Sequence, residues 1–496
     1  MLQAMQIKTN NMLVLKNIIY QSYSNYKGSL SVLSHSREFF AHFSTSKVSA
    51  ATLKVKLDND TEKQIMEKQI KPRKHKGICK TPPISIPERI VKAMPKVIGD
   101  FPMKTLCDNS AVLDRYIKCR KAPIEEANMK QRIKEIEELV LADPIKYKLP
   151  KFPQNDDDNN ALKLFHSRKN QTVKAIVKQR IYSWKAINYD DHQSLLYLFG
   201  RSAQEYAAIM KIFIEILKRE PDFMPQSFFD FGSGVGTGAW AAHELWRSSL
   251  HEYYCVDASA AMNNLADLLL RDGDMNKTLQ LKNIYFRQFL PASNNLYDIV
   301  LSAYSMFELP DLRKRLEVAK NLYKKSANYL VFVEVGTYAG FQVLSEIREY
   351  LVKSMKINED DAFIFSPCPH ESSCPRLALH DNTPCNFSVA YQSLPFSGPS
   401  LLKSDVYSYL VIKKGKLMES KRWPRIVRSP LIRHRHVVCR MCTENGKIEE
   451  GIFTPTKHGK AVYKCAKASQ WGDRLPVQIM ESDESFEPDE TSKNNE

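Results

Sequence analysis

The 496-residue chain carries 72 Lys and Arg against 56 Asp and Glu, a net charge of +16, with 43% hydrophobic residues and ten cysteines. That length holds two or three domains, and no stretch approaches the roughly 20 apolar residues that span a bilayer, so a soluble chain without a membrane partner is expected. The positive excess suits a phosphate-rich partner, because neutralised phosphates release counterions and dominate nucleic-acid affinity; a solvated basic surface is the bland alternative.

Met1 to Leu57 holds seven basic residues and one acid, Glu38, among serines, asparagines and short apolar clusters. Such an acid-poor, Ser-rich segment reads as a mitochondrial presequence, assigned to 1–45, which places the mature chain in the matrix. Residues 46–109, rich in Lys and Pro (Lys71-Pro-Arg-Lys-His-Lys76), read as an extended basic arm. Residues 110–220 form a helical lead-in with runs at Ala127–Leu141, Ala161–Ile187 and Ser202–Arg219. Strands then alternate with helices. Ser227–Phe231, His251–Val256, Ile284–Phe289, Tyr297–Ser302 and Tyr329–Glu334 are strands, with later ones at Phe387–Gln392 and Ser408–Lys413. Helices fall at Ala239–Leu245, Ser259–Leu270 and Leu312–Lys325. This alternation predicts an α/β fold with a parallel, helix-flanked sheet over 221–415, interrupted by a cysteine-rich insertion at 364–387. A basic extension, 416–478, and an acidic tail expected to be disordered, 479–496, complete the chain.

The turn after the first strand reads Asp230-Phe-Gly232-Ser-Gly234-Val-Gly236-Thr-Gly238. A glycine-rich strand-to-helix turn lets backbone N–H groups approach a ligand at the positive end of a helix. The dinucleotide fingerprint wants a glycine where Thr237 stands. An acid followed by glycines at alternate positions instead resembles the first motif of Rossmann-like, class I S-adenosylmethionine-dependent methyltransferases. Asp230, Gly232, Gly234 and Gly236 are therefore the candidate cofactor loop, with Asp257, at the end of the second strand, the candidate ribose acid. After the fourth strand, Ser302-Ala-Tyr304-Ser305-Met306 lacks the Asn-Pro-Pro-Tyr pattern of base-amine methyltransferases. No catalytic residue is identified.

Five of the ten cysteines lie between Cys368 and Cys442. In a reducing compartment, thiols set among prolines and histidines point to metal rather than disulfides. Cys439-Arg-Met-Cys442 is a good zinc half-site, and irregular spacing from several loops also suits four thiolates on a four-iron cluster; spacing alone leans to zinc. His370 is a further candidate ligand.

Phe231-Gly-Ser-Gly-Val-Gly236, Val333-Glu-Val-Gly336-Thr-Tyr-Ala-Gly340-Phe341, Pro367-Cys-Pro-His370, Cys374-Pro375, Cys442-Thr-Glu-Asn-Gly446 and Trp471-Gly-Asp473 occur in one order. In this the chain resembles the methyltransferase-like family associated with the small ribosomal subunit of mitochondria and bacteria, over about 165–475. The resemblance implies a methyltransferase-like fold, a mitochondrial small ribosomal subunit and its rRNA as partners, and a four-iron four-sulfur cluster in place of zinc. Carried over, Cys368, Cys374 and Cys385 match three ligands. Cys442 is preferred to Cys439 as the fourth because the family pattern puts that cysteine just ahead of a glycine, here Gly446. Methyl transfer is not itself implied, so an active rRNA methyltransferase is the alternative to an assembly factor acting as a monomer on the ribosome.

Lys413 to Arg440 contains ten Lys or Arg and one acid, Glu419. Arginine forks bind phosphate and stack on bases, which nominates Lys421, Arg422, Arg425, Arg428, Arg433 and Arg435 as RNA contacts. A second basic stretch, Lys71–Lys76, is a weaker candidate of the same kind.

Overall fold

A computed structural model describes residues 53–152, 159–180, 184–379, 381–396, 398–417 and 422–480. The expected presequence, Lys421 and the acidic tail beyond residue 480 lie outside the described residues. Among those described, the chain forms two compact bodies. One contains Pro83–Ala362 and Pro384–Gly415; the other contains the chain up to Pro82, Phe363–Thr383 and the chain from Lys416.

The first body opens with helices α1 (Glu88–Ile98), α2 (Met103–Cys119), α3 (Glu126–Ala142), α4 (Asn159–Arg180) and α5 (Asp191–Arg219). The extended-arm expectation therefore fails for part of 46–109. Ile90, Ala93, Met94 and Ile98 recur at helical spacing and bury one face of α1 in a stretch that its Pro and Lys content disguised. Helix α5 starts at Asp191 rather than near Ser202, because Asp190 caps it by accepting from the Gln193 amide at 2.8 Å. Helices α3 and α4 pack on a core of their own, Ile136, Val140 and Val173, flanked by Met129, Ile133, Ile176 and Val177.

The alternating segment follows as β1 (Ser227–Phe231), α6 (Thr237–Trp246), β2 (Glu252–Val256), α7 (Ala260–Leu270), β3 (Ile284–Arg287), β4 (Tyr297–Ala303), α8 (Leu312–Lys325), β5 (Ser326–Val335), α9 (Tyr338–Ile357), β6 (Phe387–Gln392) and β7 (Leu402–Lys414). The strands lie in the order β3-β2-β1-β4-β5-β7, with β6 on β7. The first five are parallel, and β7 runs antiparallel to β5, Val331 facing Val411. Central residues such as Val300, Leu301, Val331 and Phe332 are wholly buried, as strands covered on both faces require. The order reverses between β1 and β4, so the loop after β1 opens at the switch point where open α/β sheets bind ligands. A parallel 3-2-1-4-5 run followed by an antiparallel strand is the class I methyltransferase arrangement expected.

In the second body β8 (Arg425–Ile426) and β9 (Leu431–Ile432) both pair with one side of β10 (Val437–Cys442), and β11 (Ile448–Phe453) pairs with the other. Helix α10 (Pro455–Ala468) and a two-stranded ribbon, Val55–Leu57 with Val477–Ile479, close the core around Val437, Cys439, Met441, Phe453 and Cys465. The Lys71–Lys76 stretch belongs to this body. His75 in its middle is buried, meets the Ser469 hydroxyl at 3.1 Å and has its pKa lowered to about 4, chiefly by burial.

Candidate functional site

The glycine loop turns tightly under the end of β4. Gly232 has φ +69°, and a Cβ there would lie 2.2 Å from Ser305 Cβ, so only glycine allows Ser305 to approach. Ser305 Oγ donates to the Phe231 carbonyl at 3.1 Å and meets Ser302 Oγ at 2.7 Å. Asp257 anchors the loop: Oδ2 accepts from the Gly234 amide at 2.9 Å and Oδ1 from the Ser259 amide at 2.8 Å. Asn263 donates to the Asp257 carbonyl at 2.9 Å while its own buried Oδ1 has no partner. Next to it lies a cavity of about 820 Å³ lined by Ala260, Asn263, Leu265, Phe286, Arg287 and Gln288, among others. An acid and an unmatched amide oxygen beside such a cavity suit a nucleoside with ribose hydroxyls and an amino group.

Asp230 sits differently from the sequence expectation of a group that reaches a ligand. It is only 2% exposed, and a Cβ on Gly238 would fall 2.3 Å from its Oδ2 and 2.5 Å from Leu301 Cδ2. The carboxyl thus faces the start of α6 and the sheet, and Oδ2 accepts no hydrogen bond. Burial, then the nearby Asp257, pushes its pKa up to about 8. At neutral pH it is mostly the protonated acid.

Tyr304, at the edge where an acceptor base would stack, adopts φ +57° with its amide donating to the Val333 carbonyl at 2.7 Å. Arg201 covers its ring at 5.2 Å. That guanidinium donates to Glu205 at 2.9 Å and Asp114 at 2.8 Å, and the Tyr197 hydroxyl donates to Glu205 at 2.7 Å. Arg120, Glu308 and Phe307 make a second such group. The carboxylates at this edge are spoken for, and burial holds the Tyr304 phenol far above its ordinary pKa. Sequence reasoning missed Arg201 and Glu205; the available signal was a charged i,i+4 pair within the helical pattern of α5.

In the second body, strand alternation separates the two cysteines of β10. Cys439 points into the apolar core, 0% exposed, and burial raises its pKa to about 12. Cys442, three residues on, faces the other side, with its Sγ 3.3 Å from His370 Nε2. Gly446 lets the turn after Cys442 seat on the loop that holds Cys368 and Cys374: its φ is +72°, and a Cβ would meet Ser372 Cβ at 2.9 Å. In that loop Arg376 donates to the Thr383 carbonyl and Asp381, both at 3.0 Å. Cys385 lies just before β6 in the first body, its carbonyl accepting from Ser408 at 2.8 Å. None of the four is in a disulfide, yet among the described residues no three His, Cys, Asp or Glu side chains gather as a metal site.

The basic run divides, and half of its nominated RNA contacts turn inward. Arg425, 2% exposed, donates to the carbonyls of Pro367 at 3.1 Å and Gly472 at 2.7 Å and to Ser366 Oγ at 2.9 Å. Arg422 donates to the Pro369 carbonyl and pairs with Glu371, and Arg428 lies over the Trp471 ring at 5.2 Å. Arg425 helps hold the second body together, because its buried planar fork satisfies two carbonyls and a hydroxyl, while Arg422 and Arg428 are half-buried. Arg433 and Arg435 remain exposed at the β9–β10 hairpin tip, beside Leu431 (42% exposed) and Ile432 (54%).

The model of the family described as mitochondrial small ribosomal subunit Rsm22 matches residues 191–476, more than half of the chain. The human protein named "Ribosome assembly protein METTL17, mitochondrial" is 36% identical over 82% of this chain and 86% of its own length. A fission-yeast Rsm22-cox11 tandem protein is 24% identical over 58% of this chain, which spans only 44% of that longer protein. Among solved structures, a Synechocystis magnesium protoporphyrin IX methyltransferase with bound S-adenosylmethionine matches 53% of this chain and all of its own at 12% identity and TM-score 0.27. The plantazolicin methyltransferase BpumL in complex with SAH matches 58% of this chain and 99% of its own at 14% identity and TM-score 0.27. Likenesses that weak add nothing to what the strand order establishes. The family match spans α5, the first body's sheet and the second body's cysteine-bearing segments after residue 362, and on it the chain belongs to the mitochondrial small ribosomal subunit Rsm22 family.

Proposed function

We propose that the protein is an assembly factor of the mitochondrial small ribosomal subunit, acting in the matrix by binding rRNA rather than by modifying it. The observation that carries this reading is the Tyr304 edge, where Arg201, Glu205, Asp114 and Tyr197 tie one another up in buried ion pairs and hydrogen bonds. A base-amine methyltransferase needs that edge open, with a polar group to hold the acceptor nitrogen. The loop carrying Gly232, Gly234 and Gly236, with Asp257 and the unmatched Asn263 Oδ1, fits S-adenosylmethionine or its demethylated product as a bound ligand. When bound, S-adenosylmethionine supplies an electrophilic methyl group; this chain's residues orient its ribose and nucleobase ends.

Cys368, Cys374, Cys385 and Cys442 are proposed to hold a four-iron four-sulfur cluster, with zinc as the alternative. Three features support the choice: none of the four is in a disulfide, Gly446 brings the Cys442 turn onto the Cys368–Cys374 loop, and Cys439 is withdrawn into the core. Such a cluster supplies cross-linking of separate loops by thiolate bonds.

The test combines assembly and modification. In cells lacking the protein, the wild-type chain and an Asp257→Ala variant are expressed, and small-subunit yield and rRNA methylation are mapped together. Rescue of the subunit by both chains, with an unchanged methylation map, is the expected result. One rRNA methyl group that appears with wild type and disappears with Asp257→Ala would favour the methyltransferase reading instead.

A further inference from the structure

We propose that the solvent face of α4 is a second surface for the rRNA phosphate backbone, distinct from the β9–β10 hairpin tip; this rests on the rRNA-binding reading above. The 22 residues of α4 include six Lys or Arg and no Asp or Glu. Lys169 is tied to Glu137 of α3 at 3.8 Å. Lys163, Arg168, Lys174 and Lys178 are exposed. At 100° per residue those four fall within one arc of about 140°, and at 1.5 Å per residue successive cations stand roughly 6–9 Å apart along the axis.

The opposite face does the folding. Phe165 is buried, and Val173, Ile176 and Val177 pack against Ile133, Ile136 and Val140 of α3. None of the four exposed cations belongs to that core, so the hairpin does not need them to fold. Helix α3 mixes Lys130, Arg132 and Lys134 with Glu135, Glu137 and Glu138, so the one-signed charge is confined to α4. A one-signed row without acids attracts polyanions at long range and neutralises phosphates at contact. Its straight run of Lys and Arg, with Ser167, Asn170 and Gln171 between them, offers a row of donors to a phosphate backbone.

The full mature chain carrying Lys163→Gln, Arg168→Gln, Lys174→Gln and Lys178→Gln tests this against a transcript of the mitochondrial small-subunit rRNA, titrated from low to moderate salt. Four lost phosphate contacts should lower the magnitude of the log K against log salt slope by about 3 and weaken binding roughly tenfold or more at low salt. The melting temperature should stay put, since every substituted side chain is exposed. Arg433→Gln with Arg435→Gln serves as the parallel variant. If the α4 variant binds like wild type, the α4 surface is refuted and the rRNA reading stands; if the wild-type chain itself does not bind the transcript, the rRNA reading fails. Loss of binding to vesicles of anionic phospholipid, with transcript binding intact, would assign α4 to a membrane surface and overturn the proposal.

Discussion

Replacing Arg425 with methionine should destabilise the second body by about 3–5 kcal/mol, although Arg425 lies in the most basic run of the chain. Its guanidinium donates to two carbonyls and a hydroxyl at 2.7–3.1 Å. Hydrogen bonds from a charged donor contribute roughly 1.5–3 kcal/mol each, so three represent roughly 5–9 kcal/mol before the burial of the cation is counted. Removing a buried guanidinium recovers several kcal/mol of desolvation, and methionine fills much of the alkyl stem, which brings the net loss to the quoted range. Hydrogen exchange read peptide by peptide checks it. Amides of β8, β10 and the Phe363–Thr383 segment should exchange a hundredfold or more faster, while those of β1, β4 and β5 keep their protection. The rRNA affinity, measured where the variant is still folded, should match wild type. Unchanged exchange with an affinity loss equal to that of Arg433→Gln would refute the reasoning and make Arg425 an RNA contact.

Asp230→Asn should flatten the pH dependence of stability. The folded pKa of Asp230, about 8, lies above the unfolded value near 3.9, so the folded state holds a proton that the unfolded state has released. The stability this group contributes is present at acid pH and is lost as pH rises from about 4 to about 8, by at most about 1.4 kcal/mol per unit. Urea titrations at pH 5, 6 and 7 should show wild type losing ground to the asparagine variant; a constant gap would mean that Asp230 is ionised in the fold. Cys442→Ala should strip most iron from anaerobically purified protein, whereas Cys439→Ala should keep about four irons per chain and cost about 1–2 kcal/mol of stability from the core. Equal loss of iron from both variants would undo the separation that β10 imposes.

Much of the sheet was legible because its signal is local. Ser227–Phe231, Ile284–Arg287 and Tyr297–Ser302 are short apolar runs between turn residues, and their alternation with helices dictates parallel pairing. Asp257 was legible for the same reason, since its place depends only on where β2 ends. What escaped depends on contacts distant in sequence. Arg422, Arg425 and Arg428 look like Arg433 and Arg435 in any composition window, yet carbonyls at 367, 369 and 472 draw the first two inward and Trp471 covers the third. Arg201 and Glu205 were invisible as a cluster because Asp114 and Tyr304, which complete it, lie far away along the chain.

The glycine loop, the feature that most suggests an enzyme, is demanded by folding whether or not a methyl group moves. A side chain at Gly232 would collide with Ser305, and one at Gly238 with Asp230 and Leu301. These two glycines would therefore persist in a chain that had stopped transferring methyl groups, because a side chain at either would break the β1–α6 turn at the centre of the sheet. The exposed cations of α4 and of the hairpin tip stand under no such constraint. They contribute nothing to either core, and it is there that substitutions should separate function from folding.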